Sequence, residues 1–143
     1  MLVKIKNNIE EMSKVCDKVR EFCVENGIPD ERYHDVVLIL DEVVTNVISY
    51  AYSDGKEHEF SLHLNKYNQH VDIRLIDNGA AFNPLAQEDP DICSSIEERQ
   101  IGGLGIFIVK QLAEVVEYSR VDEQNQLSIK IAIHNRKEND HGN

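Results

Sequence analysis

Residues 36–51 read Val-Val-Leu-Ile-Leu-Asp-Glu-Val-Val-Thr-Asn-Val-Ile-Ser-Tyr-Ala, and this stretch decides the fold. At about 100° per residue, its apolar side chains form one broad face of a helix: Val36, Leu40, Val43, Val44, Val47, Ile48 and Ala51. Pro29-Asp30-Glu31 is typical of a helix start, and Ser53-Asp54-Gly55 is typical of the turn after a helix. The pattern predicts a helix from Pro29 to about Tyr52 with one side buried in a core.

Two polar residues of this helix, Glu42 and Asn46, stand four apart and stack at the margin of its apolar face. An Asn oxygen can ligate a hard cation such as Mg²⁺, and a Glu can orient or deprotonate a hydroxyl or a water. Alternatively, the pair belongs to a solvated helix edge, where polar residues four apart are common. Taken alone, the pair favours the solvated edge.

The chain before this helix predicts a strand and another helix. Residues 2–7 alternate as a strand does, and a helix near 9–25 follows, which Asn26-Gly27 is expected to end. Its apolar residues at helical spacing are Ile9, Met12, Cys16, Val19 and Cys23. Because free Cys behaves as a small hydrophobe, we expect buried, inert thiols here.

The chain after the long helix predicts a pair of strands joined by the polar link Tyr67-Asn68-Gln69. Apolar residues alternate with polar ones at Phe60, Leu62 and Leu64, and again at Val71, Ile73 and Leu75. A third helix is expected to open at Gly102 and to run on through Ile106, Val109, Leu112, Ala113 and Val116. A final hairpin would turn at Asp122–Asn125. Helices and antiparallel hairpins in this order predict a two-layer α/β sandwich.

Composition narrows the class of protein. The 143 residues carry a formal net charge of −11, which argues against direct nucleic-acid binding, since such binding depends on Lys and Arg. No apolar run approaches the roughly 20 residues that span a bilayer, and the first residues lack the apolar centre of a signal peptide. The three cysteines show no metal-binding spacing. We therefore expect a cytoplasmic protein that contacts neither a membrane nor nucleic acid.

Two further motifs are candidates for a binding site. Asp77-Asn78-Gly79-Ala80-Ala81-Phe82 directly follows a strand, where an Asp can accept a hydrogen bond from an exocyclic amine such as that of adenine. An ordinary turn is the alternative, since Asp-Asn-Gly is common in turns. Gly102-Gly103-Leu104-Gly105 opens a helix, so its backbone amides can bind an anion. The alternative there is a flexible hinge. Residues 83–101, between the two motifs, predict either a functional lid or a disordered segment.

The order and spacing of these motifs are specific. In this order the sequence resembles the GHKL ATP-binding superfamily, which includes the ATPase domains of gyrase, Hsp90, histidine kinases and MutL. Glu42–Asn46 resembles its N box, Asp77–Phe82 its first glycine box and Gly103–Gly105 its second. More narrowly, Asp41–Asn46 and Gly102–Phe107 resemble the anti-sigma factor serine kinases of bacterial partner-switching systems.

The resemblance implies an α/β (α+β) architecture of the Bergerat type, with a mixed, mostly antiparallel sheet and helices on one face. A histidine-kinase-like ATPase domain would occupy residues 1–134, with a lid at about 83–101 and a polar tail at 135–143.

The resemblance also implies a role for each matched residue. Glu42 would be the general base towards the substrate hydroxyl, and Asn46 would coordinate the Mg²⁺ that bridges the ATP phosphates. Asp77 would bind the adenine amino group, with Gly79 beside the base. The nucleotide-binding set would further include Phe82, Arg99, Gly102, Gly103, Leu104 and Gly105, of which the glycines bring backbone amides to the phosphates.

Three positions depart from the family pattern or match it poorly. Tyr50 stands where many members have His, and Asn83 stands where Asp is frequent. Arg99 lies in the lid, where it could reach a phosphate, but a surface ion pair with the neighbouring acids is the alternative. These positions affect lid contacts and partner details more than ATP binding.

The implied protein is a serine/threonine protein kinase that is also an anti-sigma factor. As a homodimer it would bind a sigma factor, release it when an unphosphorylated STAS-domain anti-anti-sigma antagonist docks, and later phosphorylate that antagonist with Mg-ATP. One alternative is a non-catalytic ATP-binding module that sequesters a partner. Another is a switch kinase whose target is not a sigma factor, and a third is a simple ATPase.

Overall fold

The computed structural model describes residues 1–86 and 103–134, which form one sheet and three helices in this part of the chain. The strands are β1 (Leu2–Lys6), β2 (Glu59–Tyr67), β3 (His70–Asp77), β4 (Val115–Val121) and β5 (Gln124–Ala132). The helices are α1 (Met12–Glu25), α2 (Asp30–Tyr50) and α3 (Gly103–Leu112), with short 3₁₀ turns at Ile9–Glu11 and Pro84–Ala86.

The five strands lie in the order β1-β2-β3-β5-β4, and each of the four ladders between the described strands is antiparallel. The predicted two-layer α/β architecture is therefore confirmed, with an antiparallel sheet where a mixed, mostly antiparallel one was expected. In the β3–β5 ladder, Asp77 lies opposite Asn125, at the end of both strands. This register brings Asn125, the second residue of β5, next to the end of β3.

One face of the sheet packs against the helices to form a single core. Strand residues with the predicted alternation are buried, as is Ile133 directly after β5: Phe60, Leu62, Leu64, Val71, Ile73, Leu75, Leu127, Ile129 and Ile131. The helices contribute Val15, Val19, Val36, Leu40, Val43, Val44, Ile106 and Val109. Each such side chain stabilises the fold by roughly 1.5–3 kcal/mol, so the core fixes α2 firmly against the sheet.

The two predicted helices are found as α1 and α2, although residues 9–11 form a 3₁₀ turn before α1 begins at Met12. At the end of α1, the Asn26 side chain donates a hydrogen bond of 2.8 Å to the Phe22 carbonyl, and Gly27 adopts a φ of +65°. Such a left-handed residue ends a helix at low cost when it is glycine. Pro29 caps the N-terminus of α2, and that helix ends at Tyr50, two residues before the predicted end.

The third helix is shorter than the sequence predicted. It ends at Leu112, and Val116 lies in β4, where it pairs with Ile129 of β5. The Glu114 amide already donates to the Lys130 carbonyl at 2.8 Å, so the chain joins the sheet directly after the helix. The helical spacing of Val116 was misleading, because β-branched residues such as Val115 and Val116 favour strands.

The β4–β5 turn also differs slightly from the prediction. Only Asp122 and Glu123 form it, with φ values of 51° and 64°, as a tight two-residue hairpin requires. Asn125 therefore lies within β5, not in the turn. Within the two described ranges, no helix has the length and apolar character needed to cross a membrane.

Candidate active site

A pocket opens between the second half of α2 and the ends of β3 and β5. Its walls are Val43, Asn46, Val47, Ala51, Leu75, Asp77, Phe82, Pro84, Tyr118, Asn125 and Leu127. The cavity is narrow, about 30 Å³, so a base-sized ligand needs the pocket to widen. Phe82 is only half-buried and stacks on the exposed Tyr50 with 5.3 Å between ring centroids. Because few atoms surround these two rings, a shift of the Phe82 side chain is the way the pocket can widen.

Asp77 supplies the charged group of the pocket. It is 6% exposed, and its Oδ1 accepts hydrogen bonds from the Gly79 amide and from Asn125 Nδ2, both at 2.9 Å. Among the described residues, Oδ2 of Asp77 has no hydrogen-bond partner. A buried carboxylate oxygen is costly to leave unpaired, so this atom is suited to accept a hydrogen bond from a ligand.

Gly79, two residues after Asp77, lies where the chain passes against the end of α2. A Cβ at Gly79 would overlap the carbonyl oxygen and the Cβ of Ala51. The next amide, that of Ala80, donates to the Ala51 carbonyl at 2.8 Å. The segment after β3 is thus held against the C-terminus of α2, and only glycine leaves enough space at position 79.

Glu42 lies one turn before Asn46 on α2 and meets the N-terminal turn of α3. A Cβ at Gly105 would overlap the Glu42 carboxylate, so the glycine allows α3 to approach this side chain closely. Burial raises the pKa of the Glu42 carboxyl, and the charge of Asp41 raises it further. Within the described part of the chain, the Glu42 carboxylate has no ion-pair or hydrogen-bond partner, as suits a group that takes up a proton.

Asn46 lines the same pocket as Asp77, whereas Glu42 on the same helix lies at the N-terminal turn of α3. Its amide has no hydrogen-bond partner among the described residues. An unpaired amide oxygen at a pocket wall is a suitable ligand for a hard cation. Glu42 and Asn46 are both half-buried, and Asn46 lines a pocket.

The structure brings together the motifs that were singled out in the sequence. Glu42 lies against Gly105, and Gly79 lies against the end of α2. One pocket is lined by Asn46, Asp77 and Phe82. Gly103 and Leu104 form the first turn of α3. Arg99, Gly102 and the part of the predicted lid beyond residue 86 lie outside the described residues, as does the predicted tail.

Sequence reasoning missed Asn125 and Tyr118, which line the pocket from β5 and β4, and Arg120, which donates a hydrogen bond to Asn125. Asn125 is 5% exposed and contacts both Asp77 and the segment that follows it. One signal was available: Asn125 precedes the alternating residues Leu127 and Ile129 and shares their inward face. A polar residue at an inward position of a strand calls for a buried partner.

We expect Glu42→Gln to stabilise the fold at neutral pH. Because the folded-state pKa of Glu42 is raised, the ionised carboxylate destabilises the folded chain at pH values above that pKa. This destabilisation disappears as the pH falls towards the pKa of an ordinary glutamate. Urea unfolding should therefore give a higher midpoint for the variant at pH 7.5 and equal midpoints near pH 4. Glu25→Gln, at an exposed helix end, is the control, and an equal gain there would contradict the interpretation.

The sequence matches the histidine kinase-like ATPase domain over residues 5–131, which is most of the chain, and the chain belongs to that family. Among curated relatives, it is similar to the serine/threonine-protein kinase BtrW of Bordetella bronchiseptica, with 29% identity over 94 residues, or 66% of each chain. The serine-protein kinase RsbW of Oceanobacillus iheyensis is 26% identical over 100 residues, covering 64% of this chain and 60% of that protein. The matched regions span less than two thirds of these relatives' lengths.

Solved structures share the fold. The RsbU and RsbW domains of a Mycobacterium tuberculosis protein superpose with a TM-score of 0.65 at 14% identity, over 92% of this chain and 32% of that one. The blue-light activated histidine kinase of Erythrobacter litoralis superposes with a TM-score of 0.56 at 22% identity, over 78% of this chain and 33% of that one. These likenesses support the architecture described above.

Proposed function

We propose that this protein is a Mg-ATP-dependent serine/threonine protein kinase that acts as an anti-sigma factor in a partner-switching pathway. One observation carries the proposal: α2 presents Glu42 to the N-terminal turn of α3 and Asn46 to the pocket that contains Asp77. The proposed base, the proposed cation ligand and the buried acceptor thus lie along or beside the second half of α2. The names of the curated relatives, which are serine or serine/threonine kinases, support the same function.

The nucleotide is proposed to bind with its base at Asp77 and its phosphates at α3. Oδ2 of Asp77 is buried and without a partner among the described residues, so it fits the 6-amino group of adenine. Gly79, two residues after Asp77, would lie beside the base. At the other end, the backbone amides of Gly103 and Gly105 begin α3, where the helix dipole favours phosphate oxygens.

The donor set also fits Mg²⁺. Asn46 offers an amide oxygen without another partner in the described residues, lines the pocket that contains Asp77, and lies one helical turn from Glu42. When bound, Mg²⁺ neutralises charge on the transferring phosphate. Asn46 would hold it together with the ATP phosphates, so the chain itself needs to supply few ligands.

Glu42 is the proposed general base. Because burial raises its pKa, the carboxylate is a better proton acceptor than an exposed glutamate. It would take the proton of a serine or threonine hydroxyl as that oxygen attacks the terminal phosphate. The rate of transfer is therefore expected to fall as the pH is lowered through the raised pKa, since a protonated Glu42 cannot accept a proton.

The proposed partners are a STAS-domain anti-anti-sigma antagonist as substrate and a sigma factor as the sequestered target, with the kinase acting as a homodimer in the cytoplasm. These partners follow from the resemblance to anti-sigma factor kinases. The formal charge of −11 agrees with a protein that does not bind nucleic acid directly.

The test is transfer of labelled phosphate from Mg-ATP to the purified STAS-domain proteins of the same organism. Transfer to a serine or threonine of one of them would establish the kinase and its substrate together. ATP binding without transfer to any of them would favour a non-catalytic, sequestering module. If transfer occurs, pull-down from the source cell should recover a sigma factor, and recovery of a different regulator instead would replace that target.

Asn46→Ala should remove the dependence of ATP affinity on Mg²⁺. The wild-type protein is expected to bind ATP at least about tenfold more tightly with Mg²⁺ than with a chelator, because the cation links the phosphates to Asn46. Calorimetric titrations with and without Mg²⁺ would measure this ratio. Ser49→Ala, on the exposed side of the same helix, is the control. An unchanged Mg²⁺ dependence in Asn46→Ala would refute the assignment of Asn46 as a ligand.

A further inference from the structure

Asn125 is the most highly connected polar side chain at the base end of the pocket. Its Nδ2 donates hydrogen bonds to Asp77 Oδ1 at 2.9 Å and to the Ala80 carbonyl at 2.8 Å. Its Oδ1 accepts from the Tyr118 hydroxyl at 2.5 Å, from Arg120 Nη1 at 3.1 Å and from the Phe82 amide at 3.3 Å. An amide side chain has two N–H donors, and both are used here.

These partners fix the orientation of the Asn125 amide. Its NH₂ group faces two acceptors, a carboxylate and a backbone carbonyl, and its oxygen faces three donors. A flip of the amide would place oxygen against oxygen on one side and N–H against N–H on the other. Asn125 can therefore present only donors to Asp77.

The orientation of Asn125 determines what Asp77 can offer a ligand. Oδ1 of Asp77 accepts hydrogen bonds from two N–H donors, those of Asn125 and of Gly79, so Oδ2 is the carboxylate oxygen left for the pocket. An ionised carboxylate only accepts hydrogen bonds. It therefore attracts an amino group and repels a carbonyl oxygen at the same position.

We propose that Asn125 is a positioning residue that sets the specificity of the pocket for a 6-amino purine over a 6-oxo purine. The inference rests on the proposed nucleotide site and adds to it the group that controls which base is accepted. Asn125 acts by keeping Asp77 an acceptor and by holding the segment after Asp77 in place.

Arg120 reinforces this arrangement from β4. Besides its bond to Asn125, Arg120 Nη1 donates to the Gly79 carbonyl at 2.8 Å. The carbonyls of Gly79 and Ala80 are thus held by β4 and β5, while the Ala80 amide is held by α2. The loop at the base end of the pocket is fixed from both layers of the fold.

The experiment measures the affinities of the full chain for ATP and for ITP, which carries a carbonyl in place of the 6-amino group. The wild-type protein should prefer ATP by at least about tenfold, because ITP would place its carbonyl oxygen against Oδ2 of Asp77. Asn125→Asp places a second carboxyl beside Asp77. The two adjacent carboxyls then compete for a proton, which Asp77 can carry on Oδ2 as an O–H donor towards the ligand, so the preference for ATP should fall towards one.

The control for the added charge is Gln126→Glu, because residue 126 lies next to Asn125 on β5 but faces the opposite side of the sheet. This variant should keep the wild-type preference for ATP. Circular dichroism and urea unfolding would confirm that each variant is folded. A folded Asn125→Asp protein with the wild-type ratio of affinities would overturn the proposal.

Should Asn125→Asp not fold, the double variant Tyr118→Phe/Arg120→Gln tests the same idea. It keeps Asn125 but removes two of the three donors that fix its orientation, so the ATP-to-ITP preference should fall about threefold. An unchanged preference would overturn the proposal. A wild-type chain that binds neither nucleotide would refute the proposed function and this inference with it, whereas ATP binding with unaltered selectivity in the variants would refute only the inference.

Discussion

Glu42→Gln is expected to slow phosphate transfer by about 10²- to 10⁴-fold while the affinity for Mg-ATP stays within a few-fold of wild type. The substitution keeps the size of the side chain that packs against Gly105, so the approach of α3 to α2 is preserved. What is lost is the ability to accept a proton from the substrate hydroxyl. Since the base acts on the attacking oxygen and not on the nucleotide, binding of Mg-ATP should change little.

Single-turnover transfer from labelled Mg-ATP to the STAS-domain substrate, together with a binding titration, would separate the two effects. The matched control is Asp41→Asn, which neutralises the neighbouring, exposed carboxylate and should leave the transfer rate within a few-fold. A large loss of ATP affinity in Glu42→Gln would mean that Glu42 has a structural role. Near-normal transfer would exclude it as the base.

Gly79→Ala is expected to destabilise the fold by about 3 kcal/mol, at the upper end of the usual range for an overpacked site. The added methyl would overlap the Ala51 carbonyl oxygen and Cβ, and these atoms cannot move aside as the end of a long side chain can. Relief requires a shift of the loop away from α2, which also breaks the hydrogen bond from the Ala80 amide to the Ala51 carbonyl. Nucleotide binding should weaken in parallel, because Asp77 directly precedes this loop.

Equilibrium urea unfolding would measure the loss of stability, with Gly55→Ala as the comparison. Gly55 has no atoms within 4 Å of an added Cβ, and its φ of +70° alone makes alanine unfavourable, by about 1–2 kcal/mol. A smaller loss for Gly79→Ala than for Gly55→Ala would show that the loop is not held tightly against α2.

Most of the fold could be predicted from the sequence because its strands and helices have clear periodicities. Leu127, Ile129 and Ile131 alternate strictly, and all three are buried. The error at Val116 arose where helical spacing continued by chance into a strand. Periodicity describes local structure, whereas the end of α3 is decided by the pairing of β4 with β5, which is a contact between distant residues.

The candidate site was predictable only where its residues form local motifs. Glu42 and Asn46 are one helical turn apart, and Asp77 and Gly79 lie in one turn, so their spacing was visible in the sequence. Asn125 is 48 residues from Asp77 and reaches it only through the register of β3 and β5. The pairing of two strands depends on the whole sheet, so no short motif could reveal this partner.

The unbroken length of α2 places a limit on how this chain can vary. Glu42 contacts the start of α3 and Ala51 contacts the loop after Asp77, and the rise from residue 42 to residue 51 is about 13.5 Å along the helix axis. Inserting or deleting one residue between these two points would turn everything beyond it by about 100° and move it by about 1.5 Å. Glu42 and Ala51 could then no longer both meet their partners, even with every side chain retained. An insertion in the exposed turn at residues 53–57 would leave both contacts intact, so tolerance to changes in length should differ sharply between these two adjacent parts of the chain.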